Sequence, residues 1–335
     1  MARNSRRSKG MKKIEPSVQT MSFILPAGTP GVSTIDLSQC ASLMNRRFYR
    51  QGLNWAVGGF RVISPAGVTG SLSVTKLPNT WVMSNAWEKG FRAWQEMIKN
   101  ATDESGARSI KGKFLDFKIY ANDTHHNAGF TGNLLPIDGA GALYTDGQWQ
   151  PATFQIPNPN ANPVAIDERE IIAVGANFPG VSAATGLNAV SLIQGYADSR
   201  ALPSPVDPNV PADADGSWMV KLFSDGTLQD EEVIGDLETD GNNPPYPFEG
   251  DVAGTVDTMY PGGETQAPAL EYHDSAYITS TTIGGITHMR GTNFPCGLVQ
   301  IGHNLTSPAE GSVLIQIDLV PGTHRGYLCE PMTEM

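Results

Sequence analysis

Proline and glycine fall in clusters between short apolar stretches, and this punctuation constrains the chain more than any other feature. There are 36 glycines and 24 prolines among 335 residues. A helical bundle does not accommodate such spacing, whereas an all-β protein with long, elaborated connections uses it at every turn. Segments 155–167, 202–216 and 239–254 are rich in Pro, Asn, Asp and Gly. Proline cannot donate to a sheet ladder, so these segments are expected to be surface loops. Loops longer than about 12–15 residues generally carry function or make contacts.

The stretches between them read as strands. In 70–77, Leu72 and Val74 alternate with Ser71, Ser73 and Thr75, and in 312–320 Val313, Ile315, Ile317 and Leu319 share one face, the period of a half-buried strand. Further strands are expected at 54–64, 113–120, 169–174, 188–196, 217–223, 277–289 and 296–302, with a short extended piece from Val32 to Ile35. Together they approach the eight strands of a two-sheet jelly roll plus accessories. Two segments break the β pattern. Ser38 to Tyr49 reads as a helix with Ser38 as its N-cap. In Asn85 to Ile98, Trp87, Phe91, Trp94 and Ile98 line one helical face, and Asn85 with Glu88 has capping-box spacing. Two tryptophans on one stripe could form a ligand platform, but packed core is the more economical account. The expected fold is all-β: a single jelly-roll sandwich of eight strands in two sheets, with long loops and one or two short helices, over residues 21–335. A basic, largely disordered arm over residues 1–20 precedes it. No internal repeat or linker divides the chain.

Charge is unevenly spread. Arg3, Arg6, Arg7, Lys9, Lys12 and Lys13 occupy the first 13 residues without an acid, so a +6 segment sits on a chain of net charge −11, leaving −17 for the other 322 residues. A cationic leader on an acidic body is expected of a nucleic-acid-binding arm; a solvated terminus or an import signal would share the same residues. Arg46, Arg47 and Arg50 fall at the expected end of the first helix, where they either complement the helix dipole or form a second basic, nucleic-acid-facing patch.

Cys40, Cys296 and Cys329 are far apart and form no CxxC, which argues against a disulfide framework and a structural zinc site. The apolar run Met21 to Pro26 is too short for a signal peptide, and no stretch reaches the ~18 apolar residues of a membrane span. A reducing compartment is expected, in which the sequons at Asn100, Asn122 and Asn304 are chance matches.

Catalytic motifs are not found. Gly106 to Phe114 imitates a phosphate-binding loop, but five residues separate Gly106 from Gly112, and Phe114 stands where Ser or Thr must reach Mg²⁺. Gly139 and Gly141 lack a third glycine, and no GxSxG, HExxH or kinase motif set appears. His125 and His126, read as strand neighbours, would point to opposite faces, and further histidines are scattered. Segment 225–240 holds Asp225, Asp230, Glu231, Glu232, Asp236, Glu238 and Asp240 without the spacing of a calcium loop. It reads as a solvated acidic loop or one facing a basic neighbour, with Ca²⁺ at subunit contacts as the other reading. No other cofactor and no enzymatic activity are expected, although paired carboxylates for glycoside cleavage could come from separate strands.

From Ile35 to His126 the blocks IDLSQCASLMNRRFYRQGLNW, VTKLPNTWVMSNAWEKGFRAWQEM and GKFLDFKIYANDTHHN follow one another. This ordered set, covering about a quarter of the chain, resembles capsid proteins of small circular single-stranded DNA viruses that encode a replication initiator. The resemblance implies a single jelly roll, self-assembly into an icosahedral shell and packaging of circular single-stranded DNA. The implied partners are further copies of the chain and the viral genome, with a host receptor of unspecified kind and no membrane insertion. The implied location is the virion, and the host nucleus or cytoplasm during assembly. One departure stands out: many such arms are longer and richer in arginine. A modest arm repeated over many subunits still contributes, because each phosphate neutralised releases a counterion. The runner-up reading is a carbohydrate-binding or carbohydrate-cleaving jelly roll, disfavoured by the missing export signal. A DNA-binding regulator is weaker still, since the body is acidic and lacks a helix-turn-helix or finger pattern.

Overall fold

A computed structural model of the chain describes residues 17–26, 28, 30–106, 116–158, 165–178, 187–201, 269–279, 281, 283–306 and 312–335. In chain order the first strands are β1 (Thr20–Pro26), β2 (Gly31–Asp36), β3 (Leu53–Ile63), β4 (Thr69–Lys76), β5 (Thr153–Asn158), β6 (Ala165–Ile172) and β7 (Ala189–Ser191). They are followed by β8 (Glu271–Ile278), β9 (Ile286–Arg290), β10 (Asn293–Phe294), β11 (Leu298–Thr306), β12 (Ser312–Leu319), β13 (Pro321–Gly322), β14 (Gly326–Tyr327) and β15 (Cys329–Pro331). The helices are α1 (Leu37–Asn45), α2 (Trp81–Glu104), α3 (Asp123–Ala128) and α4 (Leu192–Ala201).

Eight strands form an all-β sandwich of two antiparallel sheets. One sheet runs β1-β12-β3-β9 and the other β2-β11-β4-β8. Counted over these eight strands alone, the sheets read 1-8-3-6 and 2-7-4-5. Alternation explains the packing: Val313, Ile315, Ile317 and Leu319 of β12 all turn inward, as Leu72 and Val74 do from β4. Met21, Phe23 and Leu25 of β1 meet them in the same core. The sequence reading lacks β1 as a strand, although its Met-Ser-Phe-Ile-Leu register carries the inward positions. The bonded body reaches back into the expected arm, since Ser17 Oγ donates to the Gly326 carbonyl at 3.2 Å.

Several expected elements shift. The 277–289 strand is two strands, β8 and β9, separated by a 3₁₀ turn whose Gly284 and Gly285 have φ of 75° and 65°. The expected loop 155–167 is partly a hairpin, because β5 and β6 pair antiparallel. Residues 116–119 are extended but are not a strand, and Tyr120 makes a lone parallel bridge to Ile172. The 188–196 strand stops after three residues. There the Ser191 hydroxyl accepts the Gln194 N–H at 3.3 Å, and α4 begins. The 217–223 strand and the loops 202–216 and 239–254 lie outside the described residues.

Helix starts are decided by side-chain caps. Asp36, at the end of β2, accepts from the Ser38 and Gln39 N–H groups at 2.9 and 3.2 Å, so Asp36 and not Ser38 caps α1. Thr80, not Asn85, caps α2, and the helix begins four residues before the expected start. Its face of Val82, Met83, Ala86, Trp87, Gly90 and Ala93 is buried. That face packs with residues 117–121, β5, β6, β7 and α4 into a second core. The β4–β8 connection therefore carries a folded layer of helix and sheet on the side of the sandwich.

A buried polar seam joins layer to sandwich. Gln51 Nε2 donates to Asp36 Oδ2 at 3.1 Å and to the Ile119 carbonyl at 2.9 Å, and the Ile119 N–H returns a 2.6 Å bond to Gln51 Oε1. Trp149 Nε1 donates to Asp36 Oδ2 at 2.9 Å. Asn133 donates to Gln39 at 2.9 Å and lies 2.8 Å from His125 Nε2. Burial pushes the Asp36 carboxyl up to about 6 and the His125 imidazole down to about 4.

Candidate nucleic-acid interface

Three segments distant in sequence meet at one end of the sandwich. The first follows α1, where Arg46 takes a left-handed backbone with φ 53° and ends the helix. Arg46, Arg47 and Arg50 thus lie at and beyond the C-cap of α1 and not in its last turn. Arg46 and Arg50 are exposed and Arg47 is half-buried. Ser38 Oγ donates to the Arg50 carbonyl at 3.1 Å, which folds the segment back on the helix.

The second segment is the turn at residues 324–327. Arg325, with φ 50°, donates from Nη1 to the Phe48 carbonyl, and its own carbonyl accepts from Tyr49 Oη at 3.0 Å. Tyr49, Trp55 and Tyr327 pack behind it with ring centroids 5.3–5.9 Å apart. The third is the start of the described chain. The Val18 N–H donates to Asn45 Oδ1 at 3.0 Å, and Tyr327 Oη donates to the Val18 carbonyl at 2.6 Å. Residues 17 and 18 are therefore fastened between the arginine segment and the Arg325 turn. Arg3, Arg6, Arg7, Lys9, Lys12 and Lys13 lie outside the described residues. Their chain joins the body beside Arg46, Arg47, Arg50 and Arg325.

Arg325 is the cation that sequence reading missed. It stands alone in THRGY, and no periodicity links it to residue 46, so only its position after the last long strand hints at a turn. Next to it lies a cavity of about 380 Å³ whose walls include Phe48, Trp87, Phe91 and Phe117, with Arg50 and Arg325 also lining it. Trp87 and Phe91 stack at 4.9 Å with 23° between planes. Gly52 is required there, since a Cβ would stand 2.2 Å from the Trp87 ring.

The remaining candidates do not converge. His125 and His126 lie on the short helix α3 and not on a strand. His125 faces the seam, whereas His126 Nε2 stands 2.9 Å from Glu170. Among the described residues no group of three or more His, Cys, Asp or Glu could hold a metal ion; the acidic segment 225–240 lies outside them. Cys40, Cys296 and Cys329 are free thiols. Lys118 is buried over the Trp149 ring at 4.4 Å and pairs with Asp116, and burial lowers it to about 8. Among the described residues no helix is long and apolar enough to cross a membrane. No protein-family model matches the chain, and comparison with curated proteins and with solved structures returns no match.

Proposed function

We propose that the chain is a coat protein that tiles with copies of itself into a closed icosahedral shell and holds single-stranded DNA through its cationic leader. One observation carries the reading: the leader joins the body at the surface that holds Arg46, Arg47, Arg50 and Arg325. Phosphate can then be met by both sets of cations at once, without base readout. The two-sheet sandwich is a body suited to tiling. Its edge strand β8 carries Tyr272 and Tyr277 at 63% and 76% exposure, apolar area that a neighbouring copy would cover. In this reading the protein resides in the virion and, during assembly, in the host nucleus or cytoplasm.

The test is electron microscopy of the purified chain alongside a variant lacking residues 1–13. Closed particles are expected from both, with the truncated particles nearly free of nucleic acid by their 260/280 nm absorbance ratio. A chain that stays monomeric at every salt and pH overturns the shell, and an unchanged ratio overturns the packaging role. The aromatic cavity favours a second reading, a carbohydrate-binding sandwich, but two arginines among its lining residues suit phosphate better than neutral sugar.

A further inference from the structure

We infer that the cavity between the segment after α1 and the face of α2 is a binding site for one unstacked nucleobase of a single-stranded nucleic acid, with the adjoining phosphate held by Arg50 and Arg325. The inference rests on the coat-protein reading and gives it a specific contact. Phosphate contacts alone would need only the exposed arginines, and they leave the cavity unexplained.

Five observations favour this occupant. At about 380 Å³ the cavity falls in the ordinary size range of small-molecule pockets, about 300–1,000 Å³. Its Trp87 and Phe91 walls stack at 4.9 Å and 23°, and Phe117 meets them at centroid distances of 6.0 and 5.7 Å. The two stacked rings cover one face of each other, Phe91 also lies against Trp94 at 6.4 Å, and with Phe48 they give the cavity aromatic walls against which a planar base packs whatever its identity. The Trp87 side chain is 94% buried (6% exposed), and its indole N–H has no acceptor among the described residues. A base offers ring nitrogens and carbonyls as acceptors, whereas an aliphatic occupant offers none. Arg50 is exposed, and Arg325 is steadied by its bond to the Phe48 carbonyl, so one cation faces solvent and the other is held beside the cavity. The cationic leader joins the body at Ser17, bonded to the residue after Arg325, and Arg325 itself lines the cavity.

The site selects single strands, because in a duplex the bases are stacked and their edges paired. Gly52 makes it possible by leaving Trp87 its place.

The experiment measures binding of the full-length chain to three labelled probes of equal length at several salt concentrations: oligo-dT, the same backbone without bases, and a duplex. Oligo-dT is expected to bind about 5- to 150-fold more tightly than the abasic strand, the range of one base against aromatic side chains, and to quench tryptophan fluorescence. Phe91→Leu keeps an apolar side chain on a half-buried position but removes an aromatic wall of the cavity, so it should erase that difference and leave abasic binding unchanged. Arg50→Ala should weaken both single strands and flatten the salt dependence by about one counterion. Equal affinity for oligo-dT and the abasic strand overturns the inference. So does a Phe91→Leu variant that loses both equally, or an oligosaccharide that displaces oligo-dT without regard to salt. The two readings fail separately: particles that package DNA without a base preference sink this site alone, and a monomer that keeps the base preference sinks the shell alone.

Discussion

Met21, Phe23 and Leu25 of β1 alternate inward with polar or half-covered neighbours, whereas Ile171, Ile172, Ala173 and Val174 are buried in an unbroken run. The first pattern belongs to the sandwich, whose sheets each have one face on the core. The second belongs to the layer, where Ile171 and Ala173 face the α2 core while Ile172 faces a separate cluster with Tyr120 and Phe130. The run begins at the end of β6 and continues past it, and where both sides of the backbone are covered no polar face is left to alternate with. Antiparallel pairing dominates the sandwich, while β6 pairs parallel with β7 in the layer. The difference teaches that a periodic sequence declares a strand only where water touches one side.

The strongest way to break this comparison is to ask whether the two cores unfold together. Trp55→Ala in the sandwich core is expected to cost about 3–5 kcal/mol and Ile171→Ala in the layer about 2–5 kcal/mol. The seam through Gln51 should make both shift one transition in a denaturant titration followed by circular dichroism and tryptophan emission. Two separated transitions would show the layer to be an independent unit.

The seam itself gives a pH test. His125 falls from 6.5 to about 4 on folding, so the unfolded chain takes up its proton first, and up to about 3 kcal/mol of stability is lost as pH drops through that window. Asp36 rises from 3.8 to about 6, so the native chain takes up its proton first, and a comparable stability returns as pH drops from about 6 to 4. The two oppose one another. His125→Asn should therefore leave a protein whose melting temperature relative to pH 7 climbs on acidification to pH 4.5, and Asp36→Asn one whose melting temperature falls. Identical slopes for both variants and the parent would disprove the burial of these groups in opposite charge preference.

Smaller effects sharpen the picture of the layer. A Cβ on Gly90 would stand 2.5 Å from Leu192 Cδ2. Gly90→Ala should then cost about 1 kcal/mol by overpacking despite its better helix propensity; stabilisation in a thermal melt would mean that α4 can yield. Thr80→Ala should cost about 1 kcal/mol through the lost cap of α2, while Asn85→Ala should show no capping loss in the same melt.

Legibility followed the same division. The strands at 54–64, 70–77 and 312–320 were readable because alternation is a local property, and the all-β sandwich followed from them. β1 is hard to read from sequence because its apolar run, Met21 to Pro26, is short and Ile24 and Leu25 interrupt the alternation. The helix stripe of Trp87, Phe91 and Trp94 was readable, but its start was not: Leu77 to Thr80 gives no periodic signal, and the cap is a matter of where one hydroxyl points. The segment 113–120 looked like a strand because its apolar residues alternate, yet Phe117 and Ile119 serve the second core without a continuous ladder. Of the candidate interface, Arg46, Arg47 and Arg50 were found by charge alone, and their placement beyond α1 required the left-handed turn at Arg46. Arg325 had no signal beyond its place after the last long strand.

Composition and period by themselves determined that this chain builds antiparallel sheets with one dry face and that its charge divides between a cationic leader and an acidic body. Only the tertiary structure decided that residues 17–18, 45–50 and 324–327 meet beside an aromatic cavity. The reason is physical: period and charge are carried by neighbours in sequence, whereas a meeting of three turns depends on strand order and on which hydrogen bonds close across the end of the sandwich.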